Sequence, residues 1–184
     1  MNPINRPAVA SDHDFIAATW STCWGRPPQA SCITPAAWRT AVWSSAPDLL
    51  TRPDVRVLVA ADADATDRVA DVFGWLAWKP AAVERVVNAY TRRETFRLAD
   101  GGALPLVFCC YVKRDYRRLG VARRLFADAG IDPAAPFAYT CHNRTVDTLV
   151  DAGKLTAAAW CPHLGRPPHE RNAHATRPEV PDAA

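Results

Sequence analysis

The sequence predicts an α/β fold (α+β) arranged as one domain, and three stretches carry that prediction. Residues 55–60 alternate in polarity and residues 69–78 form a second apolar run after the polar turn 62–67, so the pair is expected to be a β-hairpin. Residues 104–112 are almost continuously apolar, which is typical of a strand buried on both faces. A short basic loop and a helix predicted over 121–129 follow this strand.

Turn residues and prolines delimit the other predicted elements. A helix is expected between Ser11 and Gly25. Further helices are predicted from Thr34 to about Pro47, over 81–90 and over 145–152, and further strands over 137–141 and 156–160. The charged segment 91–102 ends in the turn sequence Asp-Gly-Gly. Residues 165–184 contain four prolines and show no apolar periodicity, so they are predicted to be a flexible tail. Residues 1–164 are predicted to form the domain.

The composition excludes several classes of protein. The chain has 184 residues, 49% of them apolar, and its 22 Lys and Arg against 19 Asp and Glu give a net charge of +3. This balance is typical of a globular domain and not of a disordered or fibrous chain. No stretch approaches the roughly 18 apolar residues of a membrane span, and the N-terminus lacks the apolar core of a signal peptide. We therefore expect a cytoplasmic protein without a membrane partner.

Six cysteines are present, and without an export signal they are expected to be free thiols. They are Cys23, Cys32, Cys109, Cys110, Cys141 and Cys161. No Cys-x-x-Cys pair occurs, so no metal site is predicted. The alternative is a site that joins the neighbours Cys141 and His142 to Cys161 and His163. Cys109 and Cys110 follow one another in the apolar strand and should face opposite sides of the sheet.

A local excess of positive charge follows the apolar strand. Residues 113–124 contain six basic side chains and one acidic one, so this window carries more charge than the net +3 of the whole chain. Such a concentration on a nearly neutral chain indicates an anionic ligand at this place. The alternative is an ordinary solvated helix face.

The same window has the features of a phosphate-binding turn. The first backbone N–H groups of a helix have no partner within it, and they point outward with the positive end of the helix dipole. Gly120 permits a positive φ and a close approach of the backbone, and Ala122 leaves room beside it. A diphosphate fits such a turn, and the flanking arginines add charged hydrogen bonds.

These residues resemble a known family. Val112, then Arg117-x-x-Gly120-x-Ala122 between a strand and a helix, is similar to the acyl-CoA signature of the GCN5-related N-acetyltransferases (the GNAT superfamily). The resemblance covers roughly residues 4–163. It implies a mixed, mostly antiparallel central sheet of six to seven strands, flanked by about four helices and containing a splayed parallel strand pair.

The resemblance also implies acetyl-CoA as co-substrate and a set of residues that bind it. The backbone N–H groups over 117–122 would bind the diphosphate, and three arginines would reach phosphates. The main chain at the end of the strand would pair with the pantetheine arm. The candidate cofactor-binding residues are Tyr111, Val112, Lys113, Arg117, Arg118, Leu119, Gly120, Val121, Ala122 and Arg123.

The catalytic residues depart from the family pattern. The strand 104–112 contains no carboxylate to act as a base. Leu149 stands where relatives often have a tyrosine that acts as the general acid. Tyr139 and Tyr111 are candidates for the acid and His142 for the base. Cys110 is a candidate nucleophile, with a buried inert thiol as the alternative. Proximity alone can drive much of an acyl transfer to a neutral amine.

The sequence thus predicts an N-acetyltransferase that transfers acetyl from acetyl-CoA to the amine of an unidentified acceptor. One alternative is a phage-type enzyme of the same fold that modifies DNA bases, with nucleic acid as the partner of the arginines and tryptophans. The other is a CoA-binding protein that has lost catalysis. A monomer or a homodimer is expected, with a free strand edge near 156–161 as the pairing surface.

Overall fold

Seven strands form one mixed sheet in the computed structural model, which describes residues 3–23, 34, 36–37, 48–64, 71–87, 94–99, 101–141, 144–155 and 158–160. The strands are β1 (Pro3–Pro7), β2 (Arg56–Asp62), β3 (Val72–Val87), β4 (Glu94–Leu98), β5 (Leu104–Val112), β6 (Phe137–Tyr139) and β7 (Ala158–Trp160). Their order across the sheet is β1-β2-β3-β5-β6-β7, and β4 pairs with the far end of β3. The β5–β6 and β6–β7 pairs are parallel and the others are antiparallel.

Helices pack on both faces of this sheet. They are α1 (His13–Cys23), α2 (Val121–Asp128) and α3 (Arg144–Asp151). Ile16 and Trp20 of α1 belong to the buried cluster on one side of the sheet, which we call the α1 face. Val121 and Leu125 of α2 belong to the cluster on the opposite side, the α2 face. Apolar side chains thus fill both sides of the central strands, as the continuous apolar run of β5 predicts.

The predicted fold class is confirmed by this architecture. The sheet is mixed and mostly antiparallel, β2 and β3 form the predicted hairpin, and β5 has the predicted bounds. The helix predicted from Thr34 to Pro47 lies mostly outside the described residues, and so does the predicted tail, 165–184.

The helix predicted over 81–90 is wrong, because β3 continues through that segment to Val87 and pairs with β4. Pro80 predicts the end of the strand, but it lies in an irregular stretch of β3 where the pairing with β5 is interrupted. Lys79 lies opposite Leu106 and Val83 lies opposite Leu104, so β3 has extra residues between these two pairs. A bulge tolerates a residue that lacks a backbone donor. The expected turn after β4 is present, with Gly101 at φ +76°.

A partly buried ion pair attaches β1 to the start of α1. The Arg6 guanidinium donates to both carboxylate oxygens of Asp12, at 2.6 and 3.0 Å, and the Val9 N–H donates to the same carboxylate at 2.8 Å. Burial acts to raise the pKa of Asp12, but these hydrogen bonds and the charge of Arg6 outweigh it, so the pKa is lowered. The ionised carboxylate therefore stabilises the fold.

Asp12→Asn is expected to cost about 2 kcal/mol of unfolding free energy at pH 7, because it removes the charge that strengthens the hydrogen bonds from Arg6 and from the Val9 N–H. A lowered pKa in the folded state means that the stabilisation is complete above the ordinary carboxyl pKa and is lost as the pH falls through the folded value. Urea unfolding at pH 7 and below pH 4 measures this. The difference between wild type and variant should shrink in acid, and an equal difference at both pH values would contradict the assignment.

Candidate functional site

The parallel pair β5–β6 separates after two residue pairs. Leu106 lies opposite Ala138 and Val107 opposite Tyr139, and the Thr140 N–H then donates to the Val107 carbonyl at 3.0 Å. The pairing described for this side of β5 ends there, although β5 continues to Val112. Among the described residues no strand pairs with this edge of β5 beyond Phe108, and we call the unpaired edge from Cys110 to Val112 the gap. This is the splayed parallel pair that the sequence predicts.

A β-bulge lies in β5 at the point where the gap begins. Trp78 of β3 lies opposite Val107, and Ala77, one residue earlier, lies opposite Cys109. One step along β3 thus corresponds to two steps along β5. Phe108 is therefore an extra residue, which shifts the alternation of the strand by one position.

The bulge decides which face each later side chain of β5 occupies. Phe108 and the next residue, Cys109, both pack on the α1 face. Beyond them Tyr111 also lies on the α1 face, whereas Cys110 and Val112 pack on the α2 face. The prediction that Cys109 and Cys110 face opposite sides is confirmed.

The main chain of β5 alternates in the same way beyond the bulge. The Lys113 N–H donates to the Phe73 carbonyl of β3 at 2.8 Å. Because backbone groups alternate in direction along a strand, those of Tyr111 also face β3, while those of Cys110 and Val112 face the gap. Of the two main-chain positions assigned to pantetheine from the sequence, Val112 faces the gap and Tyr111 faces β3.

The turn between β5 and α2 has the conformation that Gly120 predicts. Gly120 has φ +78°, and Arg118 also has a positive φ of +67°. The first hydrogen bond of α2 runs from the Arg124 N–H to the Gly120 carbonyl at 3.0 Å. The N–H groups of the three preceding residues, 121–123, come before that bond and have no acceptor within the helix. Among these residues Val121 is buried, and Ala122 and Arg123 are exposed.

Two side-chain contacts hold this turn against the sheet. The Arg117 Nε donates to the Val112 carbonyl at 3.1 Å. The Tyr116 ring packs on Phe73, with ring centroids 4.4 Å apart. Arg117, which the sequence assigns to phosphate, thus uses one of its donors to bind the end of β5. The residue as a whole is exposed.

Lys113 lies on the α1 side of the turn. Its Nζ is 4.9 Å from the ring centroid of Phe15, which is a cation–π contact. Burial lowers the pKa of Lys113, although the charge of Asp71 acts in the opposite direction. The remaining cofactor candidates, Leu119 among them, are exposed in the turn or at the start of α2, apart from the buried Val121.

The structure divides the catalytic candidates between the two faces. Tyr111 lies on the α1 face, 6.1 Å from Phe15 and 6.3 Å from Trp75 between ring centroids. Tyr139 is buried in the α2-face cluster, 6.3 Å from Phe137. Cys110 packs against that same cluster. His142 lies outside the described residues.

The described cysteines are free thiols, as predicted, and burial makes two of them weak acids. Burial, with Cys23 and Cys141 as neighbours, raises the pKa of Cys109 far above its ordinary value. Burial likewise raises the pKa of Cys110 to about 12. A raised pKa disfavours the thiolate and therefore a nucleophilic role.

Cys141 has a structural contact. Its thiol donates to the Cys23 carbonyl of α1, which links the segment after β6 to that helix. Within the described ranges no three His, Cys, Asp or Glu side chains are arranged to hold a metal ion. The other residues of the alternative metal site, among them Cys161 and His163, lie outside those ranges.

Two residues that contact β5 are not predicted from the sequence: Thr140 on the gap side and Gly74 of β3 on the other side. Thr140 is buried, and its hydroxyl donates to the Phe108 carbonyl at 3.0 Å. Gly74 lies so close to β5 that a Cβ atom there would clash with the Tyr111 carbonyl oxygen. An isolated glycine inside a strand pattern is a signal of such an approach. No comparable signal marks Thr140.

Comparison with solved structures finds similar acetyltransferases. One is the AAC(6')-Iy complex with the bisubstrate analogue CoA-S-monomethyl-acetylneamine, at 15% identity over 84% of this chain and 90% of that one, with a TM-score of 0.47. Another is the histone acetyltransferase HPA2 and related acetyltransferase from Corynebacterium glutamicum, at 14% identity, 83% of both chains and a TM-score of 0.49. A third is the aminoglycoside 6'-N-acetyltransferase AAC(6')-Ih from Acinetobacter baumannii, at 12% identity, 83% and 89% coverage and a TM-score of 0.44.

Comparison at the level of sequence finds nothing: no family model and no curated protein matches the chain. Among the described residues, no helix has the length and apolar character needed to cross a membrane.

Proposed function

We propose that this protein is an acyl-CoA-dependent N-acyltransferase of the GNAT superfamily, which transfers acetyl from acetyl-CoA to an amine. One observation carries the proposal: the gap beside β5 opens next to the N-terminus of α2, across a turn in which Gly120 has a positive φ. A diphosphate site and a slot for an extended chain are thereby adjacent.

The diphosphate of acetyl-CoA would bind at the turn. The N–H groups at positions 121–123 precede the first helical hydrogen bond, and the helix dipole favours an anion there. Arg118 and Arg123 are exposed beside these groups and would add charge-assisted hydrogen bonds. Arg117 would contribute only its terminal amino groups, because its Nε is bound to the strand.

The pantetheine arm would lie in the gap as an added strand. It carries amide groups, and an extended polar chain of this kind can pair with a free strand edge. The backbone of Cys110 and the N–H of Val112 face the gap and would make these bonds. The arm would run from α2, on one face of the sheet, toward the α1 face.

The acetyl group would then meet its acceptor on the α1 face. The neutral amine attacks the thioester carbonyl, and the tetrahedral intermediate collapses by breaking the carbon–sulfur bond. Tyr111 carries a hydroxyl group and lies on that face. It is therefore a better candidate than Tyr139 to protonate the departing CoA thiolate. Tyr139 packs on the opposite face. His142 stays a candidate for the base.

Adding CoA is expected to raise the melting temperature of the protein by about 5–10 °C at a concentration near 100 times its Kd. ADP carries the diphosphate without the pantetheine arm and should give a smaller rise, and glutathione should give none. A folded sample that shows no shift with millimolar CoA would contradict the proposal. Release of free thiol from acetyl-CoA in the presence of a panel of amines then separates an active enzyme from a protein that binds CoA without catalysis.

The nucleic-acid alternative is favoured by no particular feature of the described residues. The exposed arginines of the basic window lie at the turn and on α2, where the phosphates of acetyl-CoA would account for them. We therefore propose an amine as the acceptor, and the assay with a panel of amines would identify its chemical class. Strand β7 is the last strand of the described sheet, and a second copy of the chain could pair with it. The molar mass in solution distinguishes a homodimer from a monomer.

A further inference from the structure

Thr140 donates two hydrogen bonds to consecutive carbonyl groups of β5. Its N–H donates to the Val107 carbonyl and its hydroxyl to the Phe108 carbonyl, both at 3.0 Å. Its exposed fraction is 1%. Water therefore does not compete for either bond.

It is unusual for two consecutive carbonyl groups of a strand to accept hydrogen bonds from the same residue. In a regular strand they point in opposite directions, so the Phe108 carbonyl would face β3. The bulge turns it toward β6 instead. A buried carbonyl without a donor is costly, and in this position the Thr140 hydroxyl supplies the donor.

The bulge has consequences for every residue of β5 that follows. Without it the alternation shifts by one position, so the backbone of Tyr111 faces the gap and that of Cys110 and Val112 faces β3. The Tyr111 side chain also moves from the α1 face to the α2 face. The bulge thus sets both the amides of the slot and the side on which the tyrosine hydroxyl lies.

We propose that Thr140 is a positioning residue for acyl transfer, whose hydroxyl holds the Phe108 bulge and thereby the register of the strand that binds acyl-CoA. The inference rests on the proposed function. Thr140 touches no reacting atom; it acts through the direction of the backbone groups of Cys110 and Val112 and through the placement of Tyr111.

Matched variants at position 140 test this role. Thr140→Val keeps the shape of the side chain and removes the donor, and Thr140→Ser keeps the donor and removes a methyl group. Thr140→Val is expected to weaken CoA binding about tenfold, and Thr140→Ser should stay within about threefold of wild type. If Thr140 only supports the fold, both variants lower the melting temperature while the Kd for CoA is unchanged, and that result would overturn the proposal.

Amide hydrogen exchange gives a second test that requires no variant. In the free protein the amides of Cys110 and Val112 should exchange fast and those of Tyr111 and Lys113 slowly, and CoA should protect the first pair. Protection by CoA at Tyr111 instead would overturn the inference while leaving CoA binding intact. A wild-type protein that does not bind CoA at all would overturn the proposed function itself, which separates the two failures.

Discussion

Gly120→Glu is expected to weaken CoA binding at least 100-fold while the protein stays folded. A Cβ atom at this position meets nothing within 4 Å, so the cost to the fold is the backbone strain of a positive φ, about 1 kcal/mol. The new carboxylate would stand beside the N–H groups proposed to bind the diphosphate, where the two negative charges would repel each other. Isothermal titration with CoA measures the loss, and thermal unfolding measures the fold.

Gly101→Glu is the matched control for this variant. Gly101 has φ +76°, and a Cβ atom added there would likewise meet nothing within 4 Å. It lies in the turn before β5, at the other end of that strand from Gly120. Both variants carry the same strain and the same added charge. Equal CoA affinity in the two variants would show that the turn before α2 does not bind the diphosphate.

Gly74→Ala is expected to reduce the free energy of unfolding by about 3 kcal/mol or more. Its Cβ atom would clash with the Tyr111 carbonyl oxygen and would lie 3.2 Å from the Val112 Cα. Both are backbone atoms of β5, so no side chain can rotate away, and β3 must move away from β5 along the paired edge between them. The melting temperature should fall by about 6–12 °C.

The comparison for this variant is Gly101→Ala, which adds the same methyl group in open space. It should cost no more than about 1 kcal/mol, the strain of its positive φ. Urea unfolding of the two variants isolates the steric effect. A Gly74→Ala protein within about 1 kcal/mol of wild type would mean that β3 and β5 are farther apart than the structure has them.

Patterns contained in one short stretch of sequence are predicted well in this chain. The bounds of β5 follow from a continuous apolar run, and the start of α2 follows from the glycine that precedes it. The conformation of Gly120 is of the same kind, since the steric freedom that allows a positive φ belongs to that residue alone.

Patterns that depend on a distant strand are predicted poorly. Residues 81–90 contain nothing that distinguishes a strand after a bulge from a short helix after a proline. Pairing with β4 and with the start of β5 decides between them, and both partners come later in the chain. The strand β4 is missed as well, because its alternation covers only a few residues within a charged segment and its partner β3 lies elsewhere in the chain.

The amino-acid sequence by itself determined the turn between β5 and α2, because a strand end, a glycine and the first turn of a helix are built from neighbouring residues. The tertiary structure alone decided the register of the gap. The bulge at Phe108, the donor at Thr140 and the opposite faces of Tyr111 and Tyr139 arise from hydrogen bonds between strands about 30 residues apart. Such pairing is selected by the packing of the whole sheet, and no local pattern encodes it.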